Sequence, residues 1–258
     1  MTLWVRFQRS DRAEFGTLAD GQIAVHIGEM FGIPCPTGES LPADAVRLLA
    51  PVVPGKFIGL WNNFHALAAK TGDAIPTEPL YFLKATSSVI GPGDSFRAPP
   101  GYDGRVVYEG ELGVVIGQRC TAVSEAEAAE RIFGYTCVND ITAAGLFGDP
   151  VFPQWARAKS CDGFGPVGPA IATGLDPATL VVRTLLGGRE RQNYPIADMI
   201  LPPARIVSLI SREMTLEPGD LITCGTSLGV LPMRPGMTVE VVIDGIGTLR
   251  NSYEGGAQ

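Results

Sequence analysis

Residues 106–116 read VVYEGELGVVI. The alternation of this stretch predicts a β-strand with Glu109 and Glu111 on one face, together with Val107 and Val115. Side chains two residues apart on a strand project the same way, about 6–7 Å from each other. Because the same face carries the valines, we expect both carboxylates to be largely buried.

Two like charges on a buried face repel each other, and each is costly to remove from water. A hard divalent cation would offset both costs, since Mg²⁺ prefers oxygen ligands. The alternative is an exposed edge strand with two ordinary glutamates. Asp140 is a third candidate ligand because it ends the next predicted strand, Phe133–Asn139. An aspartate in that position is equally suited to a turn.

Outward from this strand, the composition indicates a compact, strand-rich protein. The chain has 258 residues, of which 32 are Gly and 21 are Pro. These two residue types break helices and populate turns, which excludes a helical bundle or a coiled coil. Disorder is excluded as well, because 45% of the residues are hydrophobic and only 18% are charged.

Charge, hydropathy and cysteine usage exclude several classes of function. The net charge is −7, whereas a nucleic-acid partner normally requires a basic face. No apolar run reaches the roughly 18–20 residues that span a bilayer, and the N-terminus has no signal-peptide core. We therefore expect a cytoplasmic protein with no membrane partner. Five cysteines without a CxxC spacing, and two histidines, argue against a disulfide framework or a zinc site.

Two regions are predicted along the chain. Residues 1–52 are expected to form a small β-rich N-terminal domain, and residues 53–258 to form a longer domain that carries the candidate metal ligands. A short helix is predicted over Pro42–Leu49.

Three further elements are predicted in the second region. Ser124 and Glu127 match a capping box, which predicts a helix that continues to about Ile132. Pro203–Ser211 has the apolar spacing of an amphipathic helix. Near the end of the chain, Asp244-Gly245 between two apolar runs predicts a β-hairpin with a type I′ turn.

Six motifs then follow one another in a fixed order. They are YEGELGVVIG (108–117), GYTCVND (134–140), AKSCD (158–162), GPVGP (165–169), LEPGDLITCGT (216–226) and DGIGTLRN (244–251). Together they resemble the fumarylacetoacetate hydrolase family, and the resemblance extends from about Pro51 to Tyr253. It implies an α+β, mostly β fold, namely a mixed β-roll or sandwich with few short helices, and a homodimer.

The resemblance also implies a chemistry. Mg²⁺ or Mn²⁺ would be bound by Glu109, Glu111 and Asp140. The substrate would be a small 2-oxo acid or β-diketo acid, cleaved at a C–C bond through a metal-bound enolate, by hydrolysis of an acylpyruvate-like compound or by decarboxylation. Lys159 would stabilise negative charge on oxygen, and Thr226 would offer a hydroxyl or N–H group.

His65 is the third candidate catalytic residue, since residues 56–65 resemble a family segment that ends in a histidine. Many hydrolytic members have a glutamate three residues later that pairs with this histidine to activate water, and here that position is Ala68. Two alternatives therefore remain open. One is an enol–keto isomerase or hydratase of an unsaturated 2-oxo acid in aromatic catabolism, and the other is a non-catalytic family member that binds metal or ligand.

A second departure follows Asp140. The family often has Arg, Asp and Gln where this chain has Ala144, Gly145 and Phe147. The missing guanidinium removes a bidentate clamp for a carboxylate, so we expect a substrate whose distal end is less anionic or more apolar.

Two other features bear on the chemistry. Lys84 lies in a segment similar to one of the family and is either a site residue or a structural one. Residues 225–229 read GTSLG, a literal G-x-S-x-G. A nucleophile elbow requires a helix after the serine, and the segment that follows contains Pro232 and Pro235 and cannot be helical. A serine hydrolase is therefore rejected.

Overall fold

The computed structural model describes residues 1–148 and 151–256. The helices are α1 His65–Thr71, α2 Glu125–Arg131, α3 Trp155–Lys159 and α4 Pro203–Ser211. The strands, in chain order, are β1 Thr2–Arg9, β2 Arg12–Ala19, β3 Gln22–Gly28, β4 Pro34–Pro42, β5 Arg47–Leu49, β6 Phe57–Leu60, β7 Tyr81–Lys84, β8 Val89–Ile90, β9 Ser95–Ala98, β10 Val106–Val107, β11 Gly110–Ile116, β12 Ile132–Asn139, β13 Thr142–Ala143, β14 Gly165–Thr173, β15 Val181–Leu186, β16 Arg189–Pro195, β17 Leu221–Thr223, β18 Thr238–Ile243 and β19 Gly247–Gly256. The predicted α+β, mostly β fold is confirmed.

Two sheets contain most of these strands. The larger sheet has the order β4-β3-β2-β1-β14-β12-β11-β17-β6-β7, with β5 beside β1 and β8 beside β14. The smaller sheet has the order β16-β15-β18-β19-β9. Side chains from both sheets, such as Leu112 and Val241, share one core with the apolar face of α4, where Ile206 and Ile210 are fully buried. The sheets are therefore held face to face by apolar burial.

The N-terminal strands continue the larger sheet. Strand β1 pairs with β14 in antiparallel register, with Leu3 opposite Ala172. Strands β2, β3 and β4 extend the sheet outward as a meander. The proposed boundary at residue 52 lies between β5 and β6, and it stays a prediction.

Strand β11 lies in the middle of the larger sheet, between β12 and β17. All its residues are buried, because sheet neighbours cover its edges and core residues cover both faces. The pairing places Gly110 opposite Asn139, so the ends of β11 and β12 meet. This register brings the Glu-x-Glu motif next to Asp140.

Three local predictions were wrong. The continuous strand over Val106–Ile116 is interrupted, because the N–H group of Glu109 donates to the side chain of Asn139 and its carbonyl accepts from Asp140. The helix over Pro42–Leu49 is a single 3₁₀ turn followed by β5, whose backbone pairs with β1. The final hairpin has a three-residue loop in which φ is positive at Gly245 and not at Asp244, as in a type II turn.

The other two predicted helices are present. The capping box at Ser124 forms as predicted, and α2 begins directly after it. Helix α4 has the bounds that its apolar spacing predicts. Within the described residues, no helix is long and apolar enough to cross a membrane.

Asp220 fastens the turn before β17. Its carboxylate is fully buried and accepts from the N–H groups of Lys56, at 2.7 Å, and Glu217, at 2.8 Å. The ammonium of Lys56 lies 2.6 Å from the same carboxylate. This group joins the chain entering β6 to the chain entering β17, two strands that pair with each other, and β17 is a direct neighbour of β11.

We expect Asp220→Ala to lower the free energy of unfolding by about 3 kcal/mol, because it leaves two N–H groups and an ammonium without their acceptor. Chemical denaturation would measure the change. Asp244→Ala is the matched control, since the Asp244 side chain is 90% exposed and its pair with Arg183 contributes little. Equal effects of the two substitutions would contradict this role of Asp220.

Candidate metal centre

Three carboxylates converge where β11 begins and β12 ends. One ligand oxygen from each of Glu109, Glu111 and Asp140 lies within 4.8 Å of the other two. Glu111 and Asp140 are fully buried, and the Glu109 side chain is 18% exposed. The structure thus brings together all three residues that were predicted to bind a metal.

Two lysines partly neutralise this cluster. The ammonium of Lys159, at the end of α3, lies 2.7 Å from Glu109 Oε2 and 2.6 Å from Asp140 Oδ2. The ammonium of Lys84, at the end of β7, lies 2.6 Å from Asp140 Oδ1 and also donates to the carbonyl of Lys159. Lys84 is therefore a member of the site, a possibility that the sequence left open.

The pKa shifts follow from burial and from these pairs. Burial, joined by the nearby charges of Asp140 and Glu109, raises the pKa of Glu111 well above its ordinary value. Burial also raises the pKa of Glu109, although Lys159 opposes it. For Asp140, burial is outweighed by the two ammonium groups, which lower its pKa. Glu111 is thus the carboxylate whose charge is least compensated by the protein.

The geometry of Glu111 fits a cation. Its Oε2 accepts from the hydroxyl of Thr223 and, at 2.7 Å, from the N–H group of Gly225. Its Oε1 is buried and has no hydrogen-bond partner among the described residues. An unpartnered buried carboxylate oxygen next to two other carboxylates is the donor set that Mg²⁺ and Mn²⁺ prefer. The residues present therefore fit a hard divalent cation.

Thr226 is held near the cluster by its neighbours. Its hydroxyl donates to the carbonyl of Gly110 at 3.1 Å and accepts from Gln192 Nε2 at 2.8 Å. The side-chain oxygen of Gln192 accepts from the N–H group of Gly110, and the hydroxyl of Tyr194 donates to the Gly110 carbonyl. Residues from β16 therefore fix the backbone between the two glutamates.

Gly110 is required at this point. A Cβ atom there would lie 2.0 Å from the hydroxyl oxygen of Thr184, on strand β15. The sequence offered no signal for Gln192 or Tyr194, because a glutamine and a tyrosine in an ordinary strand predict no particular role.

His65 is not brought to the cluster. It is the first residue of α1, it is exposed, and it is not among the residues that line the cavity beside the carboxylates. That cavity has a volume of about 210 Å³, and its lining includes Glu109, Lys159 and Thr226. The residue three positions after His65 is Ala68, which is fully buried and has no carboxylate to pair with the histidine. The catalytic role of His65 stays a prediction.

Two facing sheets with a cluster of carboxylates and lysines beside a central strand define a β-sandwich protein whose acidic cluster could bind a metal. Residues 56–253 match the family model described as fumarylacetoacetate (FAA) hydrolase C-terminal, and residues 3–51 match one described as Rv2993c-like, N-terminal. The chain belongs to the fumarylacetoacetate hydrolase family.

Relatives and solved structures support this membership. Protein Rv2993c of Mycobacterium tuberculosis is 43% identical over 224 residues, which cover 86% of this chain and 83% of that protein. The 2-hydroxyhepta-2,4-diene-1,7-dioate isomerase of Mycobacterium marinum has a TM-score of 0.91 and 37% identity, over 100% of both chains. Maleylpyruvate hydrolase of Sphingobium sp. SYK-6, in complex with manganese(II) ion and pyruvate, has a TM-score of 0.82 and 28% identity, also over 100% of both chains.

We expect Glu111→Gln to weaken Mn²⁺ binding by more than about 100-fold, because it removes a negative charge that the protein leaves uncompensated. Loss of an outer partner of a metal ligand alone costs about 10–100-fold in affinity. Calorimetry with MnCl₂ would measure the change. Glu127→Gln is the matched control, since Glu127 is an exposed carboxylate and glutamine preserves the capping box. Unchanged affinity in Glu111→Gln would contradict the assignment of this centre.

Proposed function

We propose that the chain is a divalent-metal-dependent enzyme that acts on a 2-oxo acid or β-diketo acid and cleaves a C–C bond. The supporting observation is that Glu109, Lys159 and Thr226 line one cavity, while Glu111 and Asp140 are buried next to them. An acidic cluster with an unpartnered oxygen suits a cation, and the ammonium suits an anionic substrate. The manganese and pyruvate named for the Sphingobium hydrolase agree with this pairing.

Glu109, Glu111 and Asp140 would hold the cation, which when bound would act as a Lewis acid on a 2-oxo group and its carboxylate. Lys159 would stabilise negative charge that develops on a substrate oxygen, since its ammonium is positioned before the substrate arrives. Its pKa is raised, because Asp140 and Glu109 outweigh the opposing effect of burial. Lys159 would therefore remain protonated and serve as an electrostatic partner.

Among C–C cleavages, decarboxylation suits this cavity better than hydrolysis. Hydrolysis needs a base that activates water. Among the described residues that line the cavity there is no histidine, Glu109 is paired with Lys159, and Asp73 accepts from the hydroxyl of Thr71. Decarboxylation needs only the stabilisation of negative charge as CO₂ departs, followed by protonation of the carbon. Lys159 and Thr226, which line this cavity, would stabilise the negative charge.

Isomerisation is the second candidate. An enol–keto isomerase also develops charge on the 2-oxo group and needs no activated water. The Mycobacterium marinum isomerase, similar over its whole length, favours this alternative. The two reactions differ in whether the carbon skeleton stays intact.

The experiment is turnover of oxaloacetate, acetylpyruvate and an enolised 2-oxo acid by the Mn²⁺-loaded protein, with products followed by mass spectrometry. Decarboxylation releases CO₂, hydrolysis adds water and yields two acids, and isomerisation leaves the mass unchanged. We expect Lys159→Met to lower turnover by about 10²–10³-fold, because it removes the charge that stabilises the developing oxyanion.

The controls separate the alternatives. Turnover of Lys159→Met is measured at saturating Mn²⁺, because Lys159 contacts the proposed ligands Glu109 and Asp140 and its loss is expected to change the Mn²⁺ affinity. Loss of turnover in His65→Ala would indicate water activation and hydrolysis. Metal binding without turnover of any compound in a broad panel would contradict the enzyme proposal and favour a non-catalytic binding protein.

A further inference from the structure

Part of the cavity lining is aromatic. Trp61, Phe147 and Trp155 form this part and are called the aromatic wall below. The rings of Trp61 and Trp155 are nearly parallel, with centroids 4.8 Å apart and an angle of 22°. Phe147 meets Trp155 edge-on, at 4.8 Å and 66°. The sequence motifs did not point to these tryptophans.

The aromatic wall is supported from beneath. The ring of Phe82, on β7, lies nearly parallel to that of Trp155, at 5.9 Å and 16°. Phe82 itself packs across β6 at Gly59, where a Cβ atom would lie 2.4 Å from the ring. The N–H group of Trp61 donates to the carbonyl of Leu80 at 3.0 Å, so the backbone of Trp61 is fixed to the chain that enters β7. These contacts hold the rings of the aromatic wall in place before a ligand binds.

The charges around the cavity disfavour an anion at this wall. Among the described residues that line the cavity, Lys159 is the one cation, and its ammonium is paired with Glu109 and Asp140. Asp73 also lines the cavity and accepts from the hydroxyl of Thr71 at 2.6 Å. A second carboxylate on the substrate would therefore find no free partner there and would meet a like charge.

We propose that the substrate is a 2-oxo acid whose distal end is a flat, uncharged aryl or conjugated group that stacks on the aromatic wall. This inference rests on the proposed function, since the cluster would hold the 2-oxo carboxylate head. Planar side chains that flank a site bind planar ligands by offset stacking. The volume of about 210 Å³ is below the roughly 300–1,000 Å³ of drug-sized sites, which suits one head and one small flat group.

The test is calorimetric binding of pyruvate, phenylpyruvate and 2-oxoglutarate to the Mn²⁺-loaded full chain. Pyruvate reports the head alone, phenylpyruvate adds an aryl group, and 2-oxoglutarate adds a carboxylate. We expect phenylpyruvate to bind at least about tenfold more tightly than pyruvate, which corresponds to about 1.4 kcal/mol, within the range of stacking plus burial. We expect 2-oxoglutarate to bind no more tightly than pyruvate.

Variants of the aromatic wall locate the effect. Trp155→Leu and Trp61→Leu should each reduce the advantage of phenylpyruvate over pyruvate, while the affinity for pyruvate stays unchanged. Trp155→Phe should retain most of the advantage, because it keeps a ring. Trp4→Phe is the matched control, since Trp4 lies on β1 and packs against Phe15 and Phe133, outside the cavity.

Several outcomes would overturn the proposal. Tighter binding of 2-oxoglutarate than of phenylpyruvate would place a cation, not an aromatic surface, at the distal end. An undiminished phenylpyruvate advantage in both tryptophan variants would exclude the aromatic wall. Absence of pyruvate binding to protein that binds Mn²⁺ would instead count against the proposed function, and the inference would fall with it.

Discussion

Three carboxylates held within 4.8 Å of one another inside the protein are the constraint on which the centre depends. Removing each carboxylate from water costs free energy, and each carboxylate repels the other two. Two buried ammonium groups partly compensate this charge. They belong to Lys84 and Lys159, which lie on separate elements and both contact Asp140. Three carboxylates and two ammonium groups leave one negative charge uncompensated, that of Glu111. A divalent cation would more than offset this charge.

This charge arrangement requires several segments that are far apart in the chain to be positioned accurately relative to one another. The start of β11 must meet the end of β12, α3 must position Lys159, and β16 must hold the backbone at Gly110. The residues between the two sheets provide this precision because they are close-packed, so that small shifts are resisted. The apolar core and the polar cluster are thus parts of one arrangement, in which the first positions the second.

Much of this centre could be predicted from the sequence, because its signals are local. A Glu-x-Glu pair in an apolar strand and an aspartate at the end of the next strand indicate buried carboxylates. Their burial and mutual repulsion are unfavourable unless a cation compensates their charge. The capping box of α2 and the apolar spacing of α4 are local too, and both were correct. The metal ligands could be proposed from these patterns before any resemblance was considered.

The rest depended on contacts between residues far apart in the chain. Lys84 reaches Asp140 because β7 and α3 pack together, and no local pattern reports that contact. Gln192 and Tyr194 act through hydrogen bonds to the backbone of Gly110, more than 80 residues away. The break at Glu109 and the turn at Gly245 depended on which backbone partners were available. Periodicity alone does not determine those partners.

The pairing of β1 with β14 has a consequence for how the chain can be divided. Strand β14 lies beside β12, which carries the chain to Asp140, so β1 is two strands away from the centre. Removing the N-terminal strands would uncover the ladder groups of β14 around Ala172 and the apolar side chains beneath them. An unprotected strand of this kind invites pairing with other chains. Strand β1 therefore covers an edge of β14 that would otherwise be open to such pairing.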